Sequence, residues 1–395
     1  MPVFSPIYSI PYLFVFFLLF LMWRMEISRM NRYQSINMIR NTAFVLLLFF
    51  IGLRGFIYSD WISYYSAFEA LPTADLIDWS YFLPTAERGD SDWEPGFLLY
   101  AVLLKSLGVD YWGWSFISVL IDLFILSFLF KKKVKFYVLA FVIFYVYGGF
   151  GIEVNLMRNS KSIILFLLSI RYVKTRQFLP YLFLNLLGCS FHSSSLVYIL
   201  LYFFLSRRIP KKIFWWVFLV GNIIFLFQIQ FITPILIHVT DLLGGRIALQ
   251  LLTYVAGGIS YGITIGYLER CFMFMLFIRY YDKLIEGSDM YIYLNMFLAY
   301  FFFFFYFAEF SIIGKRLSVL FIPSYWFLLP TVYSFLITRK TKVYFCLFLF
   351  LYGSLKIISA NNNILSKYDN LLFGIENYET RRYMFNRYSE KLFVN

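Results

Sequence analysis

Cysteine and histidine are scarce in this sequence. It contains three cysteines, each isolated within apolar sequence, and two histidines, His192 and His238. No set of these residues has the spacing of a metal site, and neither a phosphate-binding glycine loop nor an HExxH motif occurs. These absences exclude a disulfide framework and argue against a zinc site and an ATP-driven mechanism.

Charged residues are also few for a chain of this length. Only 14% of the 395 residues are charged, 61% are hydrophobic and the mean hydropathy is +0.71, whereas a soluble domain has about 25% charged residues. Aromatic residues make up 24%, enough to fill helix faces and to form belts at the membrane interfaces. The composition therefore predicts an all-α polytopic membrane protein.

Long apolar runs alternate with short polar linkers. Several runs are shorter than the ~20 residues of a straight span, and residues 96–107 are expected to form an interfacial helix. The first run lacks a preceding basic region, so we expect a retained helix and not a cleaved signal. We predict about twelve transmembrane helices, from runs near residues 3–23, 41–58, 112–130, 136–151, 160–174, 178–190, 194–206, 213–233, 262–280, 291–308, 317–337 and 343–358.

The linkers predict the orientation of these helices. More than half of the 35 lysines and arginines lie in alternate linkers, so the positive-inside rule makes those linkers cytoplasmic and both termini external. This placement explains the net charge of +13 without nucleic acid as a partner. An external acidic loop and interfacial helix are expected at about residues 59–107. Residues 1–358 are expected to form a single transmembrane helical domain, and residues 359–395 a polar C-terminal tail.

Some basic residues break this charge rule, because they lie at or near the external ends of spans. An arginine at lipid depth costs about 2.5–3.5 kcal/mol, so each requires a partner or a function. One interpretation is snorkelling or internal pairing with a buried carboxylate. The other is an anion site, because a guanidinium group binds phosphate through two parallel hydrogen bonds. The residues concerned are Arg54, Arg158, Lys161, Arg246, Arg270, Lys315 and Arg316.

Candidate proton acceptors lie on the same external side. His192, in the segment SFHSSSLVY, is the side chain best suited to accept a proton near neutral pH, although a structural role is the alternative. Glu94 and Asp60 are further candidates. Asp90 and Asp92 form an acidic pair of the kind that binds metal ions, but we interpret them as part of a solvated loop.

The order of five motifs carries a resemblance to a known family. The segments GLRGFIYSDWISYYSAF, WEPGFLLY, NLMRNSKSIILF, SFHSSSLVY and IGKRLSVLF together resemble the EpsG/Wzy family of polysaccharide polymerases, over about residues 50–330. The resemblance implies a GT-C-like helical architecture in the bacterial cytoplasmic (inner) membrane. It also implies glycosyltransferase activity on repeat units carried by undecaprenyl diphosphate, at the face towards the periplasm or exterior.

Matching the motifs residue by residue implies a set of site residues. They are Arg54 and Asp60 in the first motif, Glu94 in the second, Arg158 in the third, His192 in the fourth and Arg316 in the fifth. The chain departs from the family pattern in two places. Tyr58-Ser59 stands where a glycine usually precedes the aspartate, and Asn159 stands where glutamine usually follows the arginine.

The resemblance and the residues together predict an O-antigen-type or capsule-type polymerase. Arg54, Arg158 and Arg316 would bind the donor diphosphate and stabilise it as a leaving group. His192, or the carboxylate of Glu94 or Asp60, would remove the proton of the acceptor hydroxyl. Further contacts with substrate are expected from Arg246 and Arg270, and stacking on sugar faces from Trp61, Tyr65 and Trp93, for which interfacial anchoring is the alternative.

Two other function classes stay open. A ligase of O-antigen type would use the same donor with a different acceptor, and a flippase of lipid-linked oligosaccharides would also need intramembrane charges. A transporter should place its charges near the midplane in an inverted repeat, and no repeat is visible. We expect a metal-independent enzyme without a cofactor. Its expected partners are undecaprenyl diphosphate-linked oligosaccharides, membrane lipids and a chain-length regulator protein.

Overall fold

The computed structural model describes residues 2–30, 33–78, 93–234, 262–286 and 289–393. Within these residues all the regular elements are helical, which confirms the prediction of an all-α protein. Of the residues named in the sequence analysis, Arg246, His238, Asp90 and Asp92 lie outside the described residues. The α-helices are α1 (Ile10–Ser28), α2 (Tyr33–Gly52), α3 (Trp61–Ala70), α4 (Pro95–Ser106), α5 (Tyr111–Lys133), α6 (Tyr137–Val146), α7 (Gly149–Asn155), α8 (Met157–Lys174), α9 (Phe178–Phe191), α10 (Leu196–Leu205), α11 (Lys211–Leu226), α12 (Ile265–Arg279), α13 (Tyr281–Ile285), α14 (Met290–Tyr306), α15 (Ser311–Val319), α16 (Pro323–Phe335), α17 (Arg339–Ala360) and α18 (Tyr378–Phe393).

Several of these helices are long and apolar enough to cross a membrane. In the described part of the chain there are four, and up to six if each of two bent helix pairs counts as one span. The bent pairs are α6 with α7, at 60°, and α15 with α16, at 50°. The chain is therefore a polytopic membrane protein. The structure does not support the finer expectation of about twelve spans, and the GT-C-like architecture stays a prediction.

Contacts divide the chain into two units. The first comprises Met1–Arg171, Leu179–Ile199 and Leu329–Asn395, and the second comprises Tyr172–Phe178 and Leu200–Leu328. In the first unit, α1 packs against α2, α6 and α17. The carboxylate of Glu26 on α1 is fully buried, and it accepts hydrogen bonds from Arg40 on α2, at 2.8 Å, and from the backbone N–H of Val138 on α6, at 3.0 Å. A buried carboxylate requires such partners, so Glu26 fixes how these three helices meet.

The helices α1 and α17 run in opposite directions. The Ser9 hydroxyl, at the start of α1, donates to the carbonyl of Ile358 near the end of α17. At the other end, Arg24 donates to the sulfur of Cys346 in the first half of α17. The first unit therefore has two distinct ends, one near Ser9 and the other near Arg24.

Two short helices and the start of a long one share an aromatic cluster. The helices α3, α4 and α5 begin directly after Asp60, Glu94 and Asp110 respectively, and the Asp110 side chain caps α5 by accepting from the N–H of Gly113 at 2.8 Å. Such caps satisfy backbone donors that have no partner in the helix. The buried residues of this aromatic cluster are Phe56, Trp61, Tyr64, Phe68, Leu71, Phe97, Leu98, Ala101, Val102, Tyr111, Trp114 and Met157.

The segment before α18 pairs with the segment after α2. Backbone N–H groups of Gly55, Tyr58 and Leu371 donate to the carbonyls of residues 369, 365 and 53 at 2.8 to 3.0 Å. A Cβ atom on Gly55 would lie 2.0 Å from the Asp369 carboxylate, so a larger residue at this position would have to displace that side chain. Residues after 359 therefore belong to the packing of the first unit around Arg54.

Candidate active site

Glu94 joins a histidine and an arginine that are distant in the sequence. Its Oε1 atom lies 2.7 Å from Nδ1 of His192 and accepts a hydrogen bond from the backbone N–H of Ser193 at 3.1 Å. Its Oε2 atom accepts from Nη1 of Arg158 at 2.8 Å. All four residues are in the first unit. The structure therefore brings together three of the residues that the sequence motifs single out.

Each of the three side chains lies at a helix terminus. Glu94 is the N-cap residue of α4, and Pro95 is at the first position of that helix, where its fixed φ and missing N–H are tolerated. Arg158 is in the first turn of α8. His192 has extended backbone between the end of α9 and the short 3₁₀-helix Ser193–Ser195. These breaks in the helices direct the three side chains to one place.

Gly96 permits the approach of α4 to α9. A Cβ atom at this position would lie 2.2 Å from Oγ of Ser190 and 2.9 Å from the carbonyl oxygen of the same residue. Because one of these neighbours is backbone, no simple side-chain movement could relieve the clash. The glycine in the motif WEPGFLLY is thus needed to bring Glu94 within hydrogen-bond distance of His192.

The partners of Glu94 keep it ionised. Burial raises the pKa of the Glu94 carboxyl, but the hydrogen bond from His192 and the positive charge of Arg158 more than offset that effect, and the pKa falls to about 2. An ionised carboxylate only accepts hydrogen bonds. The Nδ1 atom of His192 must therefore carry the proton that this bond uses.

This tautomer leaves Nε2 of His192 as the basic atom. In a neutral imidazole one nitrogen donates and the other accepts. No group in the described part of the chain makes a hydrogen bond with Nε2, and the side chain is 24% exposed. Glu94 itself is a weak base with a pKa of about 2. The arrangement can therefore accept a proton at His192 and stabilise the resulting imidazolium with Glu94.

The aromatic cluster lies beside this group. The Tyr64 hydroxyl is hydrogen-bonded to Arg158. Trp93 is half-buried and stacks on Trp114, with ring centroids 5.7 Å apart. Tyr65 is also half-buried, whereas Trp61 is only 5% exposed and contacts Phe56 and Tyr378. Trp93 and Tyr65 keep surface for a ligand, and Trp61 is mainly a packing residue of the cluster.

Arg54 is a buried cation with few partners. It is 4% exposed, and in the described part of the chain its guanidinium makes one hydrogen bond, from Nη1 to the carbonyl of Ile51 at 2.7 Å. Burial lowers the pKa of Arg54, with opposing effects from groups that include Tyr111 and Glu153. A guanidinium carries five N–H donors, so most of the donors of Arg54 make no hydrogen bond in the described part of the chain.

Asp60 belongs to a turn that Asn155 holds. The Oδ1 atom of Asn155 accepts from the backbone N–H groups of Ser59 and Asp60 at 3.2 and 2.9 Å, and the Ser59 hydroxyl donates to the Asp60 carboxylate at 2.8 Å. Tyr58 has φ 65°, a conformation that favours glycine. Its hydroxyl donates to Asn361 at 2.8 Å. Sequence reasoning missed Asn155, although it precedes Arg158 by three positions in the third motif.

Two further predicted residues, Arg270 and Arg316, belong to the second unit. Arg270, on α12, donates to the carbonyl of Gly266 at 2.7 Å and lies over the ring of Phe304, at 3.7 Å from the ring centroid. Arg316 is in the last turn of α15. Their contact with substrate stays a prediction, as does that of Arg246.

A second charged group explains one of the cations that break the charge rule. Lys161 donates to Asp122 on α5 at 2.8 Å and to the carbonyl of Ser118 at 2.7 Å. The Ser160 hydroxyl is hydrogen-bonded to both Asp122 and Glu153. Internal pairing, one of the two interpretations made from the sequence, therefore holds for Lys161. Lys161 is three positions after Arg158, so this ion pair also anchors the first turns of α8, which carry Arg158.

Comparison with known proteins supports the reading of the motifs. The model of the EpsG family matches residues 37–370, a range that includes Glu94, Arg158 and His192. No curated protein and no solved structure matches the chain. In the residues that the structure describes, no group of three or more His, Cys, Asp or Glu side chains could hold a metal ion. Because the family match covers most of its length, the chain belongs to the EpsG family.

Proposed function

We propose that this protein is a polysaccharide polymerase that extends a glycan on a lipid carrier. Membership of the EpsG family makes it a membrane protein of polysaccharide-polymerase type. The donor would be a glycan on undecaprenyl diphosphate, and the acceptor a hydroxyl of a lipid-linked repeat unit at the outer face of the cytoplasmic membrane. The observation that carries the proposal is the hydrogen bond between Glu94 and Nδ1 of His192, 2.7 Å long, beside Arg158.

The proposed reaction forms one bond and breaks another at the same carbon. The acceptor oxygen bonds to the anomeric carbon of the donor sugar, and the bond between that carbon and the diphosphate oxygen breaks. Nε2 of His192 takes the proton of the acceptor hydroxyl, and Glu94 stabilises the imidazolium. A sugar hydroxyl is far more basic than imidazole, so the proton moves only as the new bond forms. Help of this kind contributes typically about 10²–10⁴-fold.

The charge of the site changes in the direction that the reaction needs. In the form of the site that can accept a proton, His192 is neutral and the charges of Arg158 and Glu94 cancel, so this group has no net charge. After proton transfer the group carries a net positive charge, at the moment when the diphosphate leaves. Preorganised cations near a developing negative charge lower the barrier. The cations of the proposed site are Arg158, which is bonded to Glu94 and Tyr64, and the buried Arg54.

A ligase and a flippase are the alternatives to a polymerase. A ligase would use the same His192 and Glu94 with a different acceptor, whereas a flippase would need no base.

We therefore propose to examine the surface glycan of a deletion strain complemented with wild type or with His192→Ala. If the protein is a polymerase, the deletion strain and the strain with the variant should both lose the long glycan chains and retain a single repeat unit. Complete loss of attached glycan in the deletion strain would point to a ligase or flippase instead.

A further inference from the structure

A groove at the other end of the first unit combines a cationic wall with an apolar one. It has a volume of about 720 Å³ and lies between α1, α17 and the end of α16. Arg24, Arg339 and Lys342 line one part of it. The rest is lined mainly by apolar side chains, namely Phe20, Ile27, Ile337, Val343, Leu347 and Phe350. Its position at the Arg24 end of α1 separates it from Arg54 and the candidate active site.

The distance between the two ends follows from helix geometry. Ser9 and Arg24 are fifteen positions apart on α1, which corresponds to about 22 Å along an α-helix. Ser9 contacts the end of α17, whereas Arg24 contacts Cys346 near its beginning. The cationic linkers predict that the Arg24 end is cytoplasmic. The groove is therefore a feature of the membrane surface opposite the proposed site of polymerisation.

The cations of the groove have no acidic partner in the part of the chain that the structure describes. Arg24 donates to the Cys346 sulfur at 3.5 Å and is hydrogen-bonded to Tyr333, and neither contact neutralises its charge. No ion pair involves Arg339 or Lys342 among the described residues. Both are in the first turn of α17, where the helix dipole adds further positive potential. The wall therefore has a charge of +3 and no acidic residue lining it.

The apolar wall is exposed in the way that a lipid chain requires. Ile337, Val343 and Leu347 are 84%, 46% and 50% exposed, and Phe350 is 36% exposed. Val343, Leu347 and Phe350 are three or four positions apart, so they form one face of α17. That face leads away from the cationic end and along the span. An amphiphile with a phosphate at one end and a hydrocarbon chain at the other matches both walls.

We propose that this groove binds one anionic membrane phospholipid, with the headgroup phosphate on Arg24, Arg339 and Lys342 and an acyl chain along α17. Basic pockets between transmembrane helices on the cytoplasmic side suit anionic headgroups. A zwitterionic phospholipid offers the same acyl chain but brings its own cation to the cationic wall. Inorganic phosphate offers the charge but makes no use of the apolar wall. The groove should therefore prefer the anionic lipid to both.

The test is native mass spectrometry of the purified full-length protein in detergent. The probes are phosphatidylglycerol, phosphatidylcholine with the same acyl chains, and inorganic phosphate. Wild type should retain one phosphatidylglycerol more tightly than phosphatidylcholine. Removal of one cation should lower the affinity for phosphatidylglycerol about fivefold. The affinity of the variant Arg24→Gln/Arg339→Gln/Lys342→Gln should therefore be lower by about a hundredfold. The variant Leu347→Gln, which keeps all three cations, should also bind phosphatidylglycerol more weakly.

A matched control separates this groove from general attraction to basic surfaces. Lys131→Gln/Lys132→Gln/Lys133→Gln removes the same charge from the end of α5 and should leave the affinity for phosphatidylglycerol unchanged. Equal losses in both triple variants, or undiminished binding in the groove variant, would overturn the proposal. The proposal would also be overturned if inorganic phosphate bound as tightly as the lipid, or if Leu347→Gln bound phosphatidylglycerol as tightly as wild type. Either result would show that the acyl chain does not contribute to binding. Unchanged melting temperatures in phosphatidylcholine verify that the variants are folded.

Discussion

Glu94 and His192 are 98 positions apart in the chain, yet Oε1 of the first and Nδ1 of the second are separated by 2.7 Å. This bond assigns the two side chains different tasks. Glu94 is ionised and selects the tautomer of His192, and Nε2 of His192 is left to act on a substrate. The motifs alone favour His192 as the base, with Glu94 and Asp60 as further candidates, but they do not show how these side chains are paired.

The charge of Glu94 should stabilise the folded protein in a pH-dependent way. Its folded-state pKa of about 2 lies below the ordinary value of 4.5. A lowered pKa of an acid contributes stability that is complete above the unfolded pKa and is lost as the pH falls through the folded pKa. Wild type should thus melt several degrees above Glu94→Gln at about pH 7, and the difference should shrink as the pH falls below about 4.5.

Glu69→Gln is the control for this measurement. Glu69 is exposed and makes no ion pair in the described residues, so its replacement should change the melting temperature little at any pH. A difference between wild type and Glu94→Gln that is the same at acidic and neutral pH would refute the proposed charge pairing with Arg158 and His192.

Lysine should replace the proposed diphosphate-binding arginines poorly. In Arg54→Lys, Arg158→Lys and Arg316→Lys the charge is kept but the planar, two-pronged hydrogen bonding is lost. One lost bond to a charged group is worth about 1.5–3 kcal/mol, so polymer synthesis should fall roughly 10- to 100-fold. The assay is glycan chain length at matched expression, with Arg279→Lys as the control. Full activity in any of the three would remove that residue from the site.

Polymerisation should not require a divalent metal ion. The proposed site neutralises the diphosphate with arginines, so purified enzyme given lipid-linked repeat units should work equally well in excess EDTA. Activity that disappears with EDTA and returns with magnesium or manganese would refute this. Asp90 and Asp92 would then become the first residues to test as ligands.

The proposed orientation can be tested with an impermeant thiol reagent. After replacement of the three native cysteines by serine, Leu76→Cys and Ile337→Cys place one thiol at each predicted face, at side chains that are 74% and 84% exposed. In right-side-out vesicles, Leu76→Cys should react at once and Ile337→Cys only after permeabilisation. The reverse pattern would show that the protein has the opposite orientation and that the candidate site faces the cytoplasm.

Composition sufficed to predict the fold class, but not the number of spans. The apolar run at 136–151 looks like one straight helix, yet the chain breaks at Gly148, where φ is 83°, and α6 and α7 meet at 60°. A buried helix of a membrane protein and a spanning helix have the same composition, so hydropathy cannot separate them. The polar segment after residue 359 posed a similar problem, because its pairing with residues 53–58 depends on backbone hydrogen bonds.

The site residues were recognisable from motifs, whereas their partners were not. Glu94, Arg158 and His192 come from three helix termini that are far apart in the sequence, and only packing shows that they meet. The need for Gly96 likewise depends on Ser190 of another helix. Lys161 is one of the cations that break the charge rule, but the sequence could not show that it pairs with Asp122 while Arg158 pairs with Glu94.

The central claim is that Nε2 of His192 removes the proton of the acceptor hydroxyl while Glu94 holds Nδ1. The most direct test compares His192→Ala and His192→Gln with wild type in a purified polymerisation assay, alongside a binding assay for the lipid diphosphate donor. The glutamine amide can still donate a hydrogen bond to Glu94, but it is not a base. Both variants should bind donor normally and make about 10²–10⁴-fold less polymer. Near-normal polymer from His192→Gln would contradict the account, because a hydrogen-bonding side chain without basicity would then be sufficient at this position.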